Sequence, residues 1–237
     1  MPWILTVYLA GPDVFYPEAK EKLGTKKAIL NKHGIHSHTP LDKEISFAGK
    51  SKQDIANEIA HSNEKIMEDC NIILANLENW HGSPSADVGT AFEMGYMSAR
   101  FERDPKNVMI VGYYPNGIQK KFSTRVVDKL CDGQQITQDG RLIDPNGYDI
   151  EDFDLLDNLM LIQAISKSGG KIYSSFEEAA QNLTQLWQQK QAEIQQIYFT
   201  PSFNSMNHRF FAGLACCAIG AVAVSYMIAK PSYRNSL

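Results

Sequence analysis

Apolar positions along the chain alternate between short continuous runs and longer stretches with helical spacing. Residues 3–10 (WILTVYLA) form an apolar run that Gly11-Pro12 stops, which predicts a buried strand ending in a loop. From Pro17 to His33 helix formers dominate, with Leu23, Ala28, Ile29 and Leu30 apolar and Gly34 as a stop, so a crossover helix follows. Residues 35–38 allow a short strand. Ser51 and Asp54 resemble a capping box opening a helix to about Asp69, and residues 71–77 (NIILANL) predict a second buried strand.

After the turn-rich stretch 79–85, the segment 87–100 (DVGTAFEMGYMSAR) predicts a helix whose small and apolar residues pack closely on a sheet. Residues 108–113 predict a strand, 120–130 a helix, and 131–152 a long polar excursion of the kind that often carries function. A helix over 155–166, a break at Gly169-Gly170, a last strand at 171–173 and a capped helix over 175–196 complete the series. Strands alternating with helices at this spacing predict an α/β fold, a flavodoxin-like doubly wound parallel sheet of about five strands. In such a sheet ligands sit beyond the carboxyl ends of the strands, which directs attention to residues 8–15, 76–87 and the helix that follows.

Composition narrows the ligand. The chain has 237 residues, 43% hydrophobic and 21% charged, enough for one full core. With 23 basic and 27 acidic residues, a net −4 and no basic run, it is a poor match for nucleic acid, and a small molecule is expected instead. Cys70, Cys131, Cys216 and Cys217 show neither zinc spacing nor a disulfide framework, so no metal is expected. The loop after the first strand lacks the GxGxxG and GxxxxGK[ST] patterns, which argues against dinucleotide and P-loop cofactors.

The chemistry is concentrated at 85–95. Asp87 stands at a helix start, where capping and catalysis are both open and compatible. Glu93 lies six positions later among Ala91, Phe92, Met94 and Tyr96, a setting that leaves a solvated carboxylate little polar company and makes burial costly. Two carboxyl groups in one cleft near an aromatic hydroxyl can break a glycosidic bond: one attacks the anomeric carbon while another group protonates the leaving group.

At these residues the sequence resembles the nucleoside 2-deoxyribosyltransferases. The matching pieces are YLAGPDVF (8–15), PLD (40–42), ILANL (73–77), DVGTAFEMG (87–95) and DNLM (157–160), in the same order and spacing, over roughly residues 3–190. The resemblance implies that Glu93 is the nucleophile of a covalent 2-deoxyribosyl-enzyme, held by a hydrogen bond from Tyr8, and that Asp87 helps protonate the leaving base. It implies that Asn158 reaches the sugar hydroxyls of a neighbouring subunit, hence a homo-oligomer with shared sites, and that Phe15 stacks on the base beside the Gly11 turn. Tyr8 and Phe15 could equally serve the core, and Asn158 a helix cap. The sequence departs from the family pattern twice: Asn71 stands where an acid often precedes the third strand, and Glu44 stands where an amide can contact the base. Expected substrates are 2′-deoxyribonucleosides and free nucleobases, with no cofactor. The alternatives are an N-glycosidase, in which water resolves the intermediate, and a membrane-tethered nucleoside-binding module without turnover.

The end of the chain differs from the rest. Residues 198–237 hold Arg209, Lys230 and Arg234 and no acid, while the first 197 carry 20 basic and 27 acidic residues. Residues 210–229 are free of charge, and as a helix would be about 30 Å long, the depth of a bilayer core. The expected organisation is a catalytic domain over 1–197, a linker over 198–209, an apolar C-terminal helix as candidate membrane span over 210–229 and a short tail over 230–237. Without a signal-like stretch at residues 1–9, the catalytic domain is expected in the cytoplasm, anchored by that helix.

Overall fold

The computed structural model describes residues 5–199. A five-stranded parallel sheet runs in the order β2-β1-β3-β4-β7, with β1 Thr6–Ala10, β2 His36–His38, β3 Ile72–Asn76, β4 Met109–Tyr113 and β7 Ile172–Tyr173. The chain starts in the middle of the sheet, adds β2 on one side and returns to add β3, β4 and β7 on the other. That reversal opens a crevice beyond β1 and β3. The predicted doubly wound sheet is therefore present.

Side-chain alternation along the strands divides the core in two. Val7, Leu9, Ile72, Leu74, Met109, Val111 and Tyr113 face one side, packed with Leu30 of α1 (Ala19–Lys32) and with Ala179, Ala180, Leu183 and Leu186 of α6 (Phe176–Phe199). Tyr8, Ala10, Ile73, Ala75, Ile110 and Tyr114 face the other, packed with Met67 of α2 (Lys52–Glu68), Met94 and Met97 of α3 (Val88–Arg103), and Leu161, Ala164 and Ile165 of α5 (Leu159–Lys167). Each fully buried aliphatic contributes about 1.5–3 kcal/mol. The close fit of α5 depends on Gly170, where a Cβ would lie 1.7 Å from the Ile110 carbonyl oxygen.

The excursion at 131–152 contains structure of its own. After α4 (Phe122–Leu130), β5 (Ile136–Gln138) and β6 (Arg141–Ile143) form an antiparallel hairpin, with Asp139 and Gly140 at positive φ in its turn. Val126, Val127, Cys131 and Ile150 make a small separate core there. The apolar helix expected over 210–229, with its linker and tail, lies outside the described residues. Among the described residues no helix is long and apolar enough to cross a membrane.

Candidate active site

Tyr8 sits at the centre of β1 and points to the α3 side of the sheet, fully buried. Across from it, α3 begins at Asp87, whose Oδ2 accepts hydrogen bonds from the Gly89 and Thr90 amides at 2.9 and 3.1 Å. This cap fixes the rotation of the first turn, and nearly two turns of helix from the cap then carry Glu93 to the sheet. The Tyr8 hydroxyl donates to Glu93 Oε1 at 2.5 Å.

Burial pushes the Glu93 carboxyl up to about 7. The Tyr8 hydrogen bond pulls it down, since it favours the ionised form, and the Asp87 charge adds to the rise. Tyr8 is itself held far above its ordinary range by burial and by the Glu93 charge, so it remains a donor. Glu93 is thus a carboxylate with a phenol for company and, among the described residues, no cation bonded to it.

The turn after β1 closes beside these groups. Gly11 has φ +148°, and a Cβ there would lie 2.6 Å from Asn76 Cβ, so this position requires glycine. The turn is anchored by Asp13, whose Oδ2 accepts from Lys26 Nζ at 2.7 Å and from Asn76 Nδ2 at 3.1 Å. Phe15, 62% exposed, stacks on Trp80 with centroids 5.8 Å apart, and Tyr16 meets Trp80 edge-on at 5.4 Å. The Tyr16 hydroxyl donates to Glu78 Oε2 at 3.0 Å; burial, then Glu78, raises this phenol to about 12. Phe15, Tyr16 and Trp80 form an aromatic shelf at the carboxyl ends of β1 and β3.

The other expected site residues are not brought against Glu93. Asn158 caps α5, accepting from the Met160 amide at 3.0 Å and donating to Glu151 Oε2 at 2.8 Å. Glu44 lies exposed in the loop between β2 and α2. Asn71 stands at the amino end of β3, the edge away from the crevice, where its carboxamide accepts from the Thr6 amide and donates to the Asn107 carbonyl. A residue directly before a parallel strand falls at that edge, so Asn71, expected among the substrate-binding residues, instead ties β3 to its neighbours away from the crevice.

Several residues in or near the site escaped sequence reasoning. Trp80 lay in a stretch read only as turn. On α2, Ser62 Oγ and Asn63 Oδ1 are buried without a hydrogen-bond partner among the described residues, one turn before Met67, which packs in the cluster containing Tyr8 and Met94. Asp157, quoted only as part of a motif, is wholly buried and paired with Arg125. No group of three His, Cys, Asp or Glu among the described residues is placed to hold a metal ion.

The chain is similar to known proteins in sequence and in fold. Residues 7–160 match the family model described as nucleoside 2-deoxyribosyltransferase. An uncharacterized protein of Schizosaccharomyces pombe is 27% identical over 177 residues, covering 72% of this chain and 81% of its own. The structure of a 2-desoxiribosyltransferase from Leishmania mexicana is similar in fold, with a TM-score of 0.52, 24% identity, and coverage of 76% of this chain and 97% of that one. A conserved protein from Enterococcus faecalis V583 superposes with a TM-score of 0.49 at 16% identity, over 77% of this chain and 99% of that one.

Proposed function

The chain belongs to the nucleoside 2-deoxyribosyltransferase family, and from that premise we propose that it moves 2-deoxyribose between nucleobases by a retaining double displacement, as a step of nucleoside salvage. The observation that carries this reading is the contact between Tyr8 and Glu93. A carboxylate drawn out of water, oriented by one phenol and unpaired with a cation, keeps the electron density a nucleophile needs. In the first step a Glu93 oxygen bonds to C1′ while the bond from C1′ to the base nitrogen breaks. The electron pair leaves with the base, which takes a proton from Asp87. In the second step an incoming base attacks C1′, gives its ring-nitrogen proton to the Asp87 carboxylate and releases the Glu93 carboxylate, so two inversions give retention.

Positive charge develops on the sugar as the bond breaks, and Glu93 stabilises it before capturing it. A sugar without a 2′-hydroxyl lacks one electron-withdrawing group, so its cation forms more easily. The aromatic shelf of Phe15 and Trp80 offers the departing and arriving bases a stacking surface. Asp87 keeps Oδ2 on the helix amides, leaving Oδ1 for the base.

Incubation with deoxyinosine, with and without free adenine, tests the reading. Deoxyadenosine formed only when adenine is present is the expected result. Hypoxanthine released without deoxyadenosine would make the protein an N-glycosidase, and binding without turnover would make it a nucleoside-binding module. A 2-fluoro-2-deoxy sugar trapped on the enzyme should label Glu93, and label elsewhere overturns the nucleophile assignment.

The reading extends to assembly and placement. Val88, Phe92 and Met160 leave apolar side chains exposed beside the caps of α3 and α5, which suits a homo-oligomer in which Asn158 serves the neighbouring subunit's sugar. Mixing an inactive Glu93 variant with an inactive Asn158 variant should then restore activity. For residues 210–229 the reading is a membrane anchor that leaves the catalytic domain in the cytoplasm. Full-length protein recovered without detergent overturns it.

A further inference from the structure

Asp157 has no exposed surface, and its carboxylate is almost fully engaged. Oδ1 accepts from the Ser85 hydroxyl at 2.5 Å and from the Asn158 amide at 2.8 Å, while Oδ2 faces Arg125 Nη2 at 3.1 Å and the Tyr114 hydroxyl at 3.4 Å. Arg125 spends its remaining donors on backbone: Nε on the Pro84 carbonyl at 2.7 Å, Nη1 on the Leu156 carbonyl at 2.6 Å and on the Lys120 carbonyl at 3.0 Å. The pair therefore grips two loops at once. One is 84–85, immediately before Asp87; the other is 156–158, which ends in Asn158.

The 156–158 loop is also held by Glu151, which accepts from the Asn158 side chain at 2.8 Å and the Leu159 amide at 2.5 Å, and by the Tyr114 hydroxyl on the Leu156 carbonyl at 2.9 Å, so it is the firmer of the two. The Asp87 loop is closed at its base by the bridge between Asn79 and Ala86, and the Asp87 side chain caps its own helix. Besides that bridge and the packing of α3 on the sheet, the hold on Pro84 and Ser85 ties the loop just before Asp87 to a group outside its own helix. A buried ion pair with this many hydrogen bonds costs desolvation that an apolar pair of similar volume would avoid, so stability alone is a weak reason for it. Geometry is a stronger one, because a shift of about 1 Å at an acid can cost about a hundredfold in rate.

We propose that Asp157, locked to Arg125, is a positioning residue for deoxyribosyl transfer: through Ser85 and Pro84 it places the Asp87 carboxyl at the leaving base. This rests on the reading of Asp87 as proton donor given above. Asp157 touches no reacting atom and acts only through the loop it holds.

The leaving group tests it. Hypoxanthine leaving from deoxyinosine needs a proton, whereas 7-methylguanine leaves from the cationic 2′-deoxy-7-methylguanosine as a neutral base and needs none. Ser85→Ala removes one donor from Asp157 and leaves the ion pair in place. Its expected effect is a drop of about tenfold in kcat on deoxyinosine, with the rate on 2′-deoxy-7-methylguanosine within about twofold of wild type. In an Asp87→Ala background, Ser85→Ala should have no further effect on deoxyinosine. Equal losses on both substrates, or additive losses in the double variant, would show a merely structural role and overturn the inference. Arg125→Lys, which keeps the charge and loses the fork, should reproduce the same split. A wild-type protein inert on both nucleosides would instead bring down the transferase reading and this inference with it.

Discussion

Glu93 and Asp157 are carboxylates withdrawn from water, one on α3 and the other just before α5, and their surroundings are built in opposite ways. Asp157 receives a guanidinium, two hydroxyls and a backbone amide. Glu93 receives one phenol, and burial, aided by the nearby charge of Asp87, outweighs that hydrogen bond and raises its carboxyl to about 7. A carboxylate saturated with donors holds still and reacts with nothing, whereas one left short of donors remains basic and nucleophilic. The contrast separates holding from reacting within a single layer of side chains.

The largest effect that can break this contrast is on activity. Glu93→Gln keeps the shape and the Tyr8 contact but removes the nucleophile, so transfer should fall by more than about a hundredfold; retention of more than about 1% of the rate refutes the assignment. Next comes the converse variant. Asp157→Ala strands a buried guanidinium and should cost about 3–5 kcal/mol, read as a lower urea midpoint. A loss below about 1 kcal/mol would mean that the pair is not holding the loops.

A smaller effect has the opposite sign. Because the folded Glu93 carboxyl lies near 7 and the unfolded one near 4.5, the folded chain keeps a proton that the unfolded chain loses as pH rises through that window. Stability therefore declines from about pH 4.5 to about pH 7, and the cost is complete above that, at an upper bound of about 3 kcal/mol. Glu93→Gln should be more stable than wild type by about 1–3 kcal/mol at pH 8 and no more stable at pH 4, checked by thermal melts. The smallest effect sharpens the role of the phenol. Tyr8→Phe removes the hydrogen bond that lowers the Glu93 carboxyl, so the acid limb of kcat/KM should move up by about one pH unit, and an unmoved limb would deny Tyr8 that role.

Local pattern singled out Asp87 and Glu93 in the sequence, and the family resemblance added Tyr8. Asp87 at a helix start and Glu93 within a helix of small residues were readable within a window of about ten positions, whereas Tyr8 read locally as one more residue of an apolar run, and its partner lies 85 residues away. The alternation of strands and helices likewise identified the sheet. The holding half was not legible, because Arg125 and Asp157 are 32 residues apart and meet only through folded loops. The hairpin at 136–143 carried a usable Asp-Gly signal, but its strands are short and largely exposed, so no apolar run announced them. Asn71 was placed correctly just before β3, but motif spacing does not say that a residue there lies at the edge of the sheet away from the crevice.

The two-sided core also orders the events of synthesis. The side of the sheet bearing Glu93 is closed by α2, α3 and α5, the last of which ends at Lys167. The opposite side waits for Ala179, Ala180, Leu183 and Leu186 of α6. On a ribosome, the side bearing Glu93 can therefore be assembled while Val7, Leu9, Ile72, Leu74 and Val111 have only α1 over them and still lack α6. Chains halted near residue 170 would present that half-covered strip to one another and to chaperones, so a nonsense mutation there should yield aggregates rather than a smaller folded protein.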